Sequence, residues 1–211
     1  MTSGGLLFAA SWQRWAGACP WAGDHETPAC ATRMDHLYDF LPPTEPWAPA
    51  GEAAQLAGAS LLVLAVAVLL LPWALTGRKP GPVVTGLLLA TAAITVDVGL
   101  ATLRSGLDGA VVGPLVPGVG SWLWLLAPPV LFGHLAVSAG GRATRAAAVL
   151  LLLATPLVAF STYAIGPWDA RPWWEAVSGL LTCAAGASVL VAVARRPAPR
   201  PVAPAEPALA R

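Results

Sequence analysis

The chain has 211 residues, 56% hydrophobic and 11% charged, with a formal net charge of +1. A soluble domain carries roughly 25% charged residues, so this composition points to an integral membrane protein. With so small a net charge and no basic run interleaved with aromatics, nucleic acid is excluded as a partner.

The N-terminal fifty residues differ from the rest. Leu6 to Trp15, "LLFAASWQRW", is apolar but too short to span a bilayer. It lacks a basic leader and a suitably placed Ala-x-Ala-like site, and so reads poorly as a signal peptide. Two readings stand: a short interfacial helix with Trp12 and Trp15 at headgroup level, or the end of a sixth spanning helix. A wet, acidic segment follows, "CPWAGDHETPACATRMDHLYDF", holding Cys19 and Cys30 eleven positions apart. On an oxidising face these two would form a disulfide that staples the segment. Asp24, His25, Asp35 and His36 are weak candidate zinc ligands, because no ligand spacing here is specific. Solvated loop polarity with turn capping is the plainer reading. No metal or other cofactor is expected.

Five apolar stretches then follow: Ala53 to Leu75, Pro82 to Leu103, Val119 to Ala139, Ala146 to Ile165 and Trp173 to Ala194. Each approaches the ~20 residues needed to cross ~30 Å of hydrocarbon as a helix. They lack the period-two alternation of barrel strands. Pro128-Pro129 and Pro156 should kink the third and fourth. The expected fold is therefore all-α: a polytopic bundle of five transmembrane helices, or six if residues 1–17 end another. Residues 1–50 form a disulfide-closed extracytoplasmic segment, 51–195 the bundle, and 196–211 a disordered Pro/Ala-rich tail.

Orientation follows from the connections. Arg78 and Lys79, Arg142 and Arg145, and Arg195, Arg196 and Arg200 lie at one set of helix ends. The other ends are acidic or mixed, with Arg104, Asp108, Asp169, Arg171 and Glu175. The positive-inside rule puts the basic ends and the C-terminus in the cytoplasm. Trp47, Trp122, Trp124, Trp168, Trp173 and Trp174 then fall at outer helix ends as an aromatic belt.

Few residues carry candidate chemistry. Asp97 is an acid inside an apolar run, and such groups face the bundle and find partners. Arg104, two turns on, is the first candidate partner; a proton or cation relay is the sharper reading. His134 and Tyr163 complete the intramembrane polar set, with His134 read as a packing histidine. Cys183 lies mid-helix as a small packing residue. No catalytic residues are assigned, since no triad spacing, phosphate loop or HExxH motif appears.

In composition and layout the chain resembles the uncharacterised multi-pass membrane proteins of actinobacteria; its Arg-over-Lys bias and abundant Ala, Gly and Pro fit a GC-rich genome. No diagnostic motif ties it to a named family, and the resemblance implies no activity. The functional expectation is a structural or accessory membrane protein. Its partners would be the lipid bilayer and, through the small-residue face of the last helix, other membrane proteins or further copies of the chain. The alternative is a small-solute or proton transporter using an outer polar layer around Asp97. A thiol-redox or other membrane enzyme comes third.

Overall fold

A computed structural model describes residues 1–23, 25–77, 79–165 and 171–195, without the side chains of 76 and 162–165. The described chain is all-helical. Eight helices are α1 (Thr2–Trp15), α2 (Pro28–Arg33), α3 (Ala53–Thr76), α4 (Pro82–Asp108), α5 (Val119–Ser138), α6 (Arg142–Leu153), α7 (Pro156–Ile165) and α8 (Trp174–Ala194). A single 3-10 turn covers His36–Tyr38.

Four helices, α3, α4, α5 and α8, are long and apolar enough to cross a membrane. Their outward faces carry exposed Val66, Leu70, Leu89, Val130, Leu180 and Leu190. Water would favour polar groups on such faces; lipid favours these. The protein is an integral membrane protein.

The fourth apolar stretch, expected as one kinked helix, is two. α6 has 12 residues and α7 has 10, so neither crosses alone. The break has a local cause. Pro156 offers no N–H, and its ring would clash with the carbonyl of Leu152 one turn back. Thr155 Oγ1 donates to that carbonyl instead, at 2.7 Å, and the chain restarts with Pro156 as the first residue of α7. By contrast, α5 runs on through Pro128 and Pro129.

Gly58 lies against Leu103, and Gly99 against Leu61, which makes α3 and α4 an antiparallel pair. A Cβ on Gly58 would meet the backbone of Leu103 at 2.5–2.7 Å, so this crossing admits only glycine. One end of the bundle gathers the C-terminus of α1, the start of α3, the end of α4 and the start of α8. We term this the capped end, because the described residues between 16 and 52 fold over it.

α1 corrects one sequence expectation. It does not lie across the end of the bundle as an interfacial helix. It packs lengthwise and antiparallel against both α3 and α8. Its buried residues, Ser3, Gly4, Ala10, Ser11, Arg14 and Trp15, recur at helical spacing along one side. Gly4 and Gly179 bring the α1 and α8 backbones into contact. Ser60 Oγ donates to the Ser3 carbonyl at 2.8 Å across the α1–α3 seam. The 14 residues of α1 rise about 21 Å, short of a full crossing.

The dense core sits toward the far end. Val68, Leu71, Leu75, Leu88, Leu131, Phe132, Ala147, Leu151 and Ala185 interlock there, drawn from α3, α4, α5, α6 and α8. α6 packs on both α5 and α8. After the break at Pro156, α7 keeps only α5 as a substantial neighbour. The space that α7 leaves beside α8 becomes the site.

Candidate functional site

A cavity of about 700 Å³ opens in the half of the bundle nearer the cap. Every helix but α2 contributes to its wall. The apolar part includes Leu64, Val68, Trp124 and Phe132, and passes down to the dense core. Hydroxyls interrupt it. Thr95 Oγ1 donates to the Thr91 carbonyl at 2.7 Å, and Thr182 Oγ1 to the Ser178 carbonyl at 2.8 Å. Each hydroxyl that spends its hydrogen on its own helix keeps lone pairs as acceptors. Thr91, 1% exposed, has a hydroxyl with no hydrogen-bond partner.

The polar end is built around Arg14, which is 2% exposed. Its Nη1 donates to Asp39 Oδ1 at 2.6 Å. Nε and Nη2 donate to the Arg33 carbonyl at 3.2 and 3.1 Å, and Nη2 also reaches the Asp35 carbonyl at 3.4 Å. The guanidinium lies 4.3 Å from the centre of the Trp15 ring. Glu175, on the first turn of α8, accepts from Trp15 Nε1 at 2.9 Å through Oε2. Its other oxygen stands 3.6 Å from Arg14 Nη1, an ion pair without a hydrogen bond. A buried guanidinium needs such a set of acceptors, because desolvating an unpaired one is prohibitive. Arg14 therefore ties α1 to the cap and to α8 at once.

The cap has its own core. Cys19 and Cys30 are joined, with Cα atoms 4.7 Å apart, and both are buried with Trp15, Met34, Trp173 and Ala176. Trp173 Nε1 donates to the carbonyls of Cys19 and Pro20 at 3.2 and 3.1 Å. Trp173 adopts φ 66°, a left-handed conformation that a bulky side chain rarely takes. These two bonds and the rings of Trp12 and Trp21, 5.6 and 5.0 Å away, hold it there. Trp173 thus faces inward, as do Trp124 and Trp174, which line the cavity. They were expected in an outer belt. Trp122 is exposed, and Trp168 lies outside the described residues.

The intramembrane polar residues read from the sequence do not converge. Asp97 accepts from the backbone N–H groups of Leu115 and Val116 at 2.8 and 3.3 Å. Arg104, its expected partner, is exposed and makes no ion pair with it. Two helical turns separate the two on α4, about 10 Å of rise, whereas the 109–118 connection folds back along α4 and brings amides directly to the carboxylate. Ser105 holds the same connection, accepting from Val112 N at 2.9 Å. Backbone polar groups beside a membrane helix need such partners. His134 is exposed on α5 rather than packed inside. Neither Asp97 nor His134 lines the cavity. Tyr163 belongs to α7, but its side chain lies outside the described residues.

The weak metal candidates serve local structure. Asp35 Oδ1 accepts from Leu37 N at 2.8 Å and caps the 3-10 turn. The His36 ring pairs with Asp39 Oδ2 at 2.8 Å through Nδ1. His25 Nε2 lies 3.1 Å from the Pro20 carbonyl, and Asp24 is outside the described residues. Among the described residues, no three His, Cys, Asp or Glu side chains gather as a metal site would require.

Sequence reasoning missed Arg14, Glu175 and Thr91. Arg14 carried a usable signal. It is a lone cation in an apolar helix, and the argument applied to Asp97 applies to it equally. Glu175 and Thr91 carried none, since their partners come from distant elements. No family model, no curated protein and no solved structure matches this chain.

Proposed function

We propose that this membrane protein binds a small, predominantly apolar molecule in the capped cavity. The observation that carries the reading is the cavity itself. At about 700 Å³ it falls within the range of small-molecule sites, with aromatic and aliphatic walls and a few polar groups at one end. A packed bundle with no ligand to hold would gain stability by closing such a space. The small-residue face of α8, which favoured an accessory role in the sequence, is already occupied by α1 at Gly179 and Gly186.

In this reading α6 and α7 together make a fifth crossing, and the cap lies on the extracytoplasmic face. The basic connections at the far end and the disulfide in the cap support that orientation. An accessory-subunit role is the second reading. It is favoured by the exposed apolar group Leu115, Val119 and Trp122 beside the cap.

The test is saturable binding of 1-dodecanol to the full-length protein in phosphatidylcholine nanodiscs, measured above empty discs. Leu64→Trp, which fills the apolar wall, should weaken binding at least tenfold while the disulfide and melting temperature persist. Equal binding by Leu64→Trp would place the alcohol elsewhere and sink the reading.

A further inference from the structure

The polar end of the cavity has an unbalanced charge. One guanidinium, Arg14, faces two carboxylates, Asp39 and Glu175. The formal charges of these three side chains sum to −1. Four of the five N–H groups of Arg14 are committed, to Asp39 and to the carbonyls of Arg33 and Asp35. Its charge is already matched by Asp39 and Glu175. Asp39 is likewise spoken for, one oxygen on Arg14 and the other on His36.

Glu175 differs. Oε2 accepts from Trp15, while Oε1, at 3.6 Å from Arg14, lies beyond hydrogen-bond reach of it. Glu175 lines the cavity, and its side chain is only 13% exposed. A carboxylate oxygen so placed has unused acceptor capacity in a site largely shielded from water, where a charge-assisted bond is strong. The wall hydroxyls of Thr95 and Thr182 have already donated their hydrogens and add further acceptors. Two residues of the lining, Thr91 and Trp174, keep unpartnered donors, so the polar end is set apart by the formal charge on the unused Glu175 oxygen.

Building on the cavity-binding reading, we propose that the ligand is a cationic amphiphile. Its protonated amine head sits against Glu175, and its single apolar chain lies along Leu64, Val68 and Phe132. An anionic head would meet two carboxylates, with Arg14 already ion-paired to both. A neutral alcohol would satisfy Glu175 with a weaker bond.

Three probes with one chain length separate the possibilities: dodecylamine, 1-dodecanol and dodecanoate, each measured at neutral pH in phosphatidylcholine nanodiscs against empty discs. Dodecylamine should bind at least tenfold more tightly than dodecanoate. Glu175→Gln should cut that ratio below threefold and leave 1-dodecanol within threefold of its original affinity. Dodecanoate binding as tightly as dodecylamine would overturn the head-group assignment, as would a ratio untouched by Glu175→Gln; in both cases the cavity reading survives. If no probe binds saturably, the cavity reading falls, and this inference with it. Should Glu175→Gln fail to fold, the ratio in the unmodified protein, and its disappearance together with all binding in Leu64→Trp, still decides.

Discussion

Arg14 and Asp39, twenty-five positions apart in the chain, meet at 2.6 Å and join the first helix to the cap that closes over it. The contact explains why so apolar a protein begins with a wet, acidic segment. That segment supplies the acceptors without which the Arg14 cation could not be buried, and it closes the cavity beneath. Removing the cation should therefore cost more than removing one of its partners. Arg14→Met should lower unfolding stability by about 3 kcal/mol, the scale for breaking a buried ion pair from one side. Asp39→Asn should cost less, because the carbonyls of Arg33 and Asp35 and the Glu175 carboxylate remain. Denaturant unfolding in a mild detergent reads both. An Asp39→Asn cost equal to that of Arg14→Met would contradict the keystone role.

Adjacent glycines in α1 should behave in opposite ways. A methyl group on Gly4 would run into the Gly179 carbonyl and the sulfur of Cys183, whereas Gly5 has nothing within 4 Å. Gly4→Ala should thus destabilise by about 1–3 kcal/mol through overpacking. Gly5→Ala should be neutral or raise stability by roughly 0.5–1 kcal/mol through helix propensity. Paired thermal melts of the two variants check this, and similar losses for both would show that α1 does not sit against α8 in this register.

Asp97 should act on the backbone of the 109–118 connection and not on Arg104. In Asp97→Ala, amide hydrogen exchange at Leu115 and Val116 should accelerate at least tenfold. Arg104→Gln should leave both amides unchanged. If the two substitutions had the same effect, the carboxylate would be serving the arginine after all.

The disulfide closes a short loop. Its loss in the Cys19→Ala/Cys30→Ala protein should cost on the order of 3 kcal/mol by the chain-entropy model. Both sulfurs lie inside the cap core, with Cys30 at 0% exposure. A water-soluble phosphine should therefore leave the bond intact until denaturant is added, as mass spectrometry after alkylation would record. Rapid reduction of the folded protein would mean that the cap opens freely.

What the sequence determined by itself was set by solvent. Stretches of twenty apolar residues can satisfy their backbones in lipid only as helices, so the all-helical class and the long helices α3, α4, α5 and α8 were readable residue by residue. The spacing of Cys19 and Cys30 in a polar segment likewise pointed to a bridge. Tertiary structure decided the rest, because it depends on which surfaces meet. Gly4 is an ordinary glycine until Gly179 arrives from the far end of the chain. Asp97 looked like a member of an outer polar layer until the 109–118 connection turned back to offer two amides. Trp173 looked like a belt residue until Cys19 and Pro20 presented carbonyls to its ring nitrogen. The cavity is the extreme case. It exists because the break at Pro156 sends α7 away from α8, and because Arg14, Asp39 and Glu175 converge from three separate elements to form its polar end. No single segment encodes an empty volume, since its walls are distances between elements that the chain specifies only when folded.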